Sequence, residues 1–426
     1  MSLMRDIRSK CVSLFSVTKN VKPSATLDRS NTRTRWTRRL RYAGAVLLAV
    51  ALLGGAAVAS AGDAFGARAT GNRQRLIESS PQWNGERFAN PLPREQASFV
   101  TMLRRWVGGA PNTVPTDPLP VLTRTAADFA NAPASGLRVT WLGHSTLLLE
   151  IGGRRILVDP VWGDRVSPVG WAGPMRFHPP PLPLDELPTI DAVVISHDHY
   201  DHLDHPTIVA LRERVPRFIV PLGVGAHLEQ WGVDAERIVE LDWWQATALG
   251  DLTLTATPAR HFSGRAITRS DEDATLWVGW VIADATHRVY YSGDTALFPE
   301  LAEIGTRLGP FDLSLLETGA YDAMWADVHL GPEQVILAHQ LVRGGLLVPV
   351  HWGTFNLALH AWTEPVERLL VAADSAQVRV VVPRPGESVE PATAPTLARW
   401  WPTVPWQRAD EAPVRSSGVD ALWQAR

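Results

Sequence analysis

The pattern of apolar and polar positions changes twice along the chain. Tyr42 to Gly62 reads YAGAVLLAVALLGGAAVASAG, 21 residues without a charge. A helix of roughly 20 apolar residues crosses a bilayer core, so this run predicts a transmembrane or signal segment behind a basic tail at 1–41. From 63 to 136 the chain is polar, Pro-rich and only intermittently apolar, with one helical pattern over Phe99–Val107. This stretch is expected to be a lead-in wrapped on the body. At Leu137 short β-branched or Leu-rich runs begin. VTWLG, TLLLEIGGRRILVD and IDAVVIS read as strands, and Gly152-Gly153 occupies the place of a two-residue hairpin turn.

Beyond them, helical patterns in HPTIVALRERV, VGAHLEQWG and GPEQVILAHQLV alternate with strand-like RFIVPL, LTLTATPA, WVGWVIAD, RVYYSGD, DLSLLE and GLLVPVHWG. Such alternation over some 250 residues predicts a layered α/β domain at 137–390. A last segment, 391–426, holds Trp400, Trp401 and Trp406 among prolines and reads as irregular.

Charge sharpens the division. Of 41 basic and 44 acidic residues, 11 and 2 respectively precede Tyr42, so a tail of net +9 leads into a body of net −12. Arg35, Arg38, Arg39 and Arg41 flank the uncharged run, and the positive-inside rule then keeps the N-terminus in the cytoplasm with the body outside. Ala59-Ser60-Ala61 is an A-x-A-like cleavage site, and Arg38-Arg39 resembles a twin-arginine signal. Retained anchor and cleaved signal both stay open, and both place the body across the membrane. An acidic body is a poor partner for nucleic acid. The single cysteine, Cys11, lies in the tail, so metal ligands in the body must be His, Asp or Glu.

The densest chemistry is Ser196-His197-Asp198-His199-Tyr200-Asp201-His202, directly after an apolar strand. Alternate side chains of an extended chain leave the same face, so His197 and His199 can share one metal ion. Asp201 and His202 can reach a second ion beside it. His261, Asp294 and His351 each follow a predicted strand, and functional groups of α/β domains gather on loops at one sheet edge. Two divalent ions about 3.5–4 Å apart bring a shared water towards neutral pKa and stabilise attacking and leaving oxygens. That chemistry suits a phosphodiester, a lactone or an amide.

HDHYDHLD, PARH, YSGDT and VPVHWGTF resemble the metallo-β-lactamase superfamily. More narrowly, WLGHSTLLLEIGGRRILVDPVW, ELDWW, EIGTRLGPFDLSLLETGAY and HWGTFNLALH are similar to the N-acyl-phosphatidylethanolamine-hydrolysing phospholipase D family. The resemblance implies a four-layer αββα sandwich. It implies two Zn²⁺, one on His197, His199 and His261, the other on Asp201, His202 and His351, with Asp294 bridging; the imidazole and carboxylate donors themselves fit zinc and leave iron or manganese open. It also implies phosphodiester hydrolysis of an N-acyl-phosphatidylethanolamine-like phospholipid, with membrane as partner. His329, in DVHLGPEQ before a helix, is then expected to hydrogen-bond the phosphoryl or leaving oxygen, with a helix N-cap neighbour without function as the alternative. His144 and Asp159 are expected to orient ligands. His178, His205, His227, His287, His339 and His360 read as surface or packing residues. The chain departs from the family at Met324-Trp325, where an Arg is expected beside the Trp, and at Ala296-Leu297, where a Gly-aromatic pair is expected. Both sites are expected near the substrate, so substrate identity is what they affect. Of 18 Trp, most are expected in the core, with a few on one face available to a membrane interface. A lactonase on the same scaffold, and a metal-binding module without turnover, stay open as alternatives; the sequence does not fix the oligomeric state.

Overall fold

In the computed structural model, residues 61–95, 97–394 and 399–424 are described, with a few positions between 39 and 55. The chain divides into two units, 1–59 and 60–426. Most of the uncharged run at 42–62, and with it the expected membrane segment, lies outside the described residues. Among those described, no helix is long and apolar enough to cross a membrane.

The second unit is built on two facing sheets. The first begins with a meander of β1 (Leu137–Trp141), β2 (Leu147–Ile151) and β3 (Arg154–Val158), and continues through β4 (Ala192–Val194), β5 (Phe218–Pro221) and β6 (Ile238–Leu241). The β2–β3 hairpin pairs Ile151 with Arg154. Its two turn residues, Gly152 and Gly153, have φ of 55° and 72°. Positive φ at both central positions gives a turn whose twist matches the strands, and glycine adopts it without a Cβ penalty. The second sheet comprises β7 (Ala246–Leu249), β8 (Leu252–Thr257), β9 (Gly279–Ala283), β10 (Arg288–Tyr291), β11 (Phe311–Glu317) and β12 (Gly344–Val350). β13 (Ser388–Val389) returns to the free edge of β1, giving orders β13-β1-β2-β3-β4-β5-β6 and β12-β11-β10-β9-β8-β7.

Period-two alternation sorts side chains between layers. Leu147, Leu149 and Ile151 of β2 enter the core between the sheets with Leu254, Trp280, Val289 and Leu313. Leu148 points the other way, into an outer core completed by Ile208 and Leu211 of α3 (His205–Leu211) and Val224 and Leu228 of α4 (Val224–Gln230). On the far side, Tyr290, Leu316 and Leu347 meet α5 (Glu300–Arg307), α6 (Pro332–Leu341) and α7 (Glu364–Ala376). Helices therefore cover both outer faces of a two-sheet sandwich.

The lead-in lies against this sandwich. It carries α1 (Gly71–Ser79), which the sequence pattern did not reveal, and α2 (Phe99–Gly108). Ile77 and Phe88 enter the core between the sheets, while Leu122 N donates to Pro385 O at 2.8 Å and Asn90 Nδ2 to His261 O at 2.7 Å. The C-terminal segment is irregular apart from α8 (Asp420–Gln424), and Trp401 packs edge-on against Trp352 at 5.8 Å. Trp243, Trp277, Trp280 and Trp352 are buried, whereas Trp171 is 66% exposed.

Candidate metal centre

β8 runs parallel to β10, β11 and β12, and β1 parallel to β3 and β4, so seven strand ends that carry site residues face one edge of the sandwich. The loops leaving those ends carry His144 after β1, Asp159 after β3, His197 to His202 after β4, His261 after β8, Asp294 after β10 and His351 after β12; Glu317 ends β11. Three of these, His144, Asp159 and His351, have φ of 52°, 39° and 62°. Left-handed backbone at non-glycine residues costs of order 1–3 kcal/mol each and persists where the surroundings hold it. Gly293 meets the same crowding: with φ of 58°, a Cβ there would lie 2.7 Å from Val278 O and 2.8 Å from Ser196 Cβ.

The structure brings all seven expected ligands together. His197 Nε2 lies 2.8 Å from His199 Nδ1, which is 3.2 Å from His261 Nε2. Beside them, Asp201 Oδ2 lies 3.4 Å from His202 Nε2 and 3.2 Å from His351 Nε2. Asp294 Oδ2 sits between the groups, 3.8 Å from His197, 3.7 Å from His261, 3.2 Å from His202 and 3.1 Å from His351.

The remaining ring nitrogens fix which lone pairs face inward. Asp159 Oδ2 accepts from Ser196 Oγ at 2.5 Å, His202 Nδ1 at 2.7 Å and the Tyr291 hydroxyl at 2.5 Å. With its proton given to Asp159, Ser196 Oγ accepts from His197 Nδ1 at 2.9 Å, and His261 Nδ1 donates to Val328 O at 2.7 Å. In their neutral forms His197, His202 and His261 therefore aim Nε2 lone pairs into the cluster; against burial, Asp294 and Asp201 push the His202 ring well above the ordinary histidine range, towards the charged form that a bound cation would replace. Burial, reinforced by the neighbouring imidazoles, pushes His197 well below the ordinary histidine range. Burial opposes ionisation of Asp294, but His202 and His351 hold its carboxyl well below the usual range.

Imidazole lone pairs 2.8 Å apart repel unless a proton or a metal cation lies between them. His202 Nε2 and Asp294 Oδ1 are buried with no hydrogen-bond partner. A buried polar atom left unpaired costs about 1–3 kcal/mol, which a bound cation relieves. The donor set therefore fits metal ions of the kind that take imidazole and carboxylate. His144, His202, Asp201 and His351 form one potential ligand group, and His197, His199, His261 and Asp294 another.

His144 reaches Asp201 Oδ2 through Nε2 at 2.9 Å, and burial followed by His351 pushes its pKa down to about 3. Asp198, inside the His-rich motif, turns away from the cluster: it accepts from Gly264 N at 2.8 Å and Thr275 Oγ1 at 3.0 Å and lies 3.4 Å from His227. His178 bonds Thr354 Oγ1, and His339 bonds Ser314 Oγ at 2.8 Å. The sequence reading missed Glu317. It is fully buried and receives His329 Nδ1 at 2.6 Å. Its one sequence signal was a carboxylate at the end of an apolar strand.

His329 and Trp325 line the cavity above the cluster, about 390 Å³ in volume. Ala296 and Leu297 do not. Leu297 is fully buried in the outer core with Phe298 and Leu301, because the turn after Asp294 folds under α5. The expectation that this pair lies near the substrate is corrected accordingly.

A Beta-lactamase superfamily domain matches residues 154–352. An uncharacterised protein of Mycobacterium tuberculosis is 48% identical over 351 residues, covering 79% of this chain and 91% of its own. The N-acyl-phosphatidylethanolamine-hydrolyzing phospholipase D 1 of Caenorhabditis elegans is 34% identical over 333 residues, 70% of this chain and 92% of its own. Among solved structures, the metallo hydrolase Igni18 of Ignicoccus hospitalis is 25% identical with a TM-score of 0.46, over 59% of this chain and 97% of that one. This chain is a metal-dependent hydrolase of the metallo-β-lactamase superfamily. Within the superfamily it belongs with the N-acyl-phosphatidylethanolamine-hydrolysing phospholipases D.

Proposed function

We propose that this hydrolase is a dinuclear zinc phosphodiesterase of phospholipase D type, acting on N-acyl-phosphatidylethanolamine-like lipids. The observation that carries the reading is Asp294, whose single Oδ2 lies within 3.8 Å of histidines from both ligand groups. His197, His199 and His261 would hold one ion, Asp201, His202 and His351 the other, with Asp294 shared. Ions so held supply Lewis acidity, lowering the pKa of water and neutralising charge that develops on the phosphate.

The chain's own groups do the rest. Asp159, Ser196 and Val328 O lock the ring orientations, so little reorganisation is needed when substrate arrives. Met102, Phe262, Val328 and Leu357 give the cavity apolar walls, with Arg269 on its lining as a cation for an anionic headgroup. A cavity of about 390 Å³ is too small to enclose a diacyl lipid, so the acyl chains would lie beyond the mouth. There α2, which contributes Met102 to the lining, exposes Val100, Leu103, Trp106 and Val107, an apolar surface suited to lipid.

The products decide the reading. In water enriched in heavy oxygen, N-acyl-phosphatidylethanolamine should give an acylethanolamine and phosphatidic acid labelled in its phosphate. Label in a carboxylate product, or turnover confined to lactones, overturns it.

A further inference from the structure

Glu317 stands outside the seven expected ligands, although with Asp294, His329 and His351 it forms a third cluster tight enough for an ion, and it is fully buried at the end of β11. Its Oε1 accepts from Thr295 N and Leu330 N, both at 2.9 Å. These two contacts fasten the carboxylate to the loop after Asp294 and to the loop that carries His329. Its Oε2 is left for His329 Nδ1, at 2.6 Å.

Two backbone N–H groups on Oε1 stabilise the ionised form of this carboxylate, and an ionised carboxylate only accepts, so Oε2 accepts from His329 Nδ1 and Nε2 carries the lone pair. The His329 side chain is 13% exposed and lines the cavity. With Nδ1 turned into the wall, Nε2 is the nitrogen available to a substrate.

We propose that Glu317 is a positioning residue for this reaction: it fixes the tautomer and aim of His329, so that Nε2 serves the leaving oxygen. The inference rests on the phosphodiesterase reading. In the step it describes, a water oxygen forms the new P–O bond. The P–O bond to the alcohol breaks, and its electron pair goes to the leaving oxygen, which takes a proton from His329 Nε2. Nε2 holds that proton because its lone pair first takes the one released by the attacking water, so one water is consumed, acid and alcohol are formed, and the imidazole ends as it began, with its proton on Nδ1. Glu317 faces the positive imidazolium through that cycle at 2.6 Å without itself leaving the protein wall.

The test uses the full-length, metal-loaded chain and Glu317→Gln, which keeps an oxygen for Thr295 N and Leu330 N but can present an amide donor to Nδ1. Two phosphodiesters are compared, one with an alkyl alcohol as leaving group and one with p-nitrophenolate, which leaves as a stable anion without a proton. Turnover of the alkyl ester should fall about 100-fold, as loss of a positioned general acid does, with KM within about 3-fold, while the nitrophenyl ester loses far less. Equal losses on both esters overturn the inference. Inactivity of the unsubstituted chain on every phosphodiester would defeat the phosphodiesterase reading instead. The positioning role is then read directly from ¹⁵N shifts of histidine-labelled protein, with His329→Ala identifying the signal. An Nδ1–H tautomer that changes in Glu317→Gln supports the inference, and an Nε2–H tautomer in the unsubstituted chain overturns it.

Discussion

The two halves of the centre are built from nearly the same side chains but held differently. The half made by His197, His199 and His261 presents nitrogen alone, and its rings are steadied by neutral groups, Ser196 Oγ and Val328 O. The half made by Asp201, His202 and His351 contains its own carboxylate, and His202 is steadied by the Asp159 carboxylate at 2.7 Å. His351 Nδ1, buried without a hydrogen-bond partner, lies 4.0 Å from Glu317. The shared Asp294 leans the same way: its Oδ2 is 3.1–3.2 Å from His351 and His202 but 3.7–3.8 Å from His261 and His197. A carboxylate behind an imidazole makes it a more basic ligand. The second half should therefore hold its ion more tightly, and the first should tune the more exchangeable one.

Removing what the halves share should have the largest effect. On the proposed dinuclear reading, Asp294→Ala is expected to lower the content of both ions and to reduce turnover by at least about 10³-fold, because two ions so placed would act together on attacking and leaving oxygens. Elemental analysis after gel filtration measures it. Two tightly held ions in that variant would show that Asp294 does not bridge.

Breaking one half at a time sharpens the contrast. His261→Ala and His351→Ala should each remove mainly one ion and most turnover. They should differ under graded chelation: the ion left in His261→Ala, seated on the carboxylate-rich half, should persist to about 10-fold higher chelator than the ion left in His351→Ala, the scale of an outer carboxylate's contribution. Identical chelation midpoints would erase the proposed asymmetry.

The halves also differ in how much of them the sequence disclosed. His197, His199, Asp201 and His202 stand within six residues of one another after an apolar strand, so local geometry alone groups them. His261, Asp294 and His351 were legible only as ends of separate strands, and their convergence depends on antiparallel pairing of β8 and β10 with β9 and on parallel pairing of β10, β11 and β12 across long crossovers. The strands and the helices around HPTIVAL, VGAHLEQ and PEQVILAHQL were legible because their periodicity is local. α1 was not, since GNRQRLIES places only Ile77 in the core and carries almost no apolar stripe. Glu317 was hidden for a different reason. A single carboxylate in an apolar run gives no spacing to read, and its meaning comes from His329, 12 residues away across a loop. Leu297 misled because a family pattern gives order along the chain but not the direction in which a turn folds.

The smallest expected effect tests whether the stiffness of the second half is passed through Asp159. Tyr291 is fully buried between the sheets, and its hydroxyl donates to Asp159 Oδ2 at 2.5 Å. Tyr291→Phe keeps the ring in the core and removes only that donor. Asp159 retains Ser196 N at 2.7 Å and Ser196 Oγ at 2.5 Å, so the carboxylate should stay in place but pivot more freely behind His202. Loss of a buried hydrogen bond to a charged acceptor costs about 1.5–3 kcal/mol, and denaturant unfolding of the apo chain should register it. Affinity of the second half should fall by about 10-fold, the lower end of what an outer partner contributes. The first half should be unchanged, because its rings lean on Ser196 and Val328. If both ions weaken equally, the coupling runs through Ser196, whose one hydroxyl joins Asp159 to His197, and the two halves form a single mechanical unit despite their difference in charge.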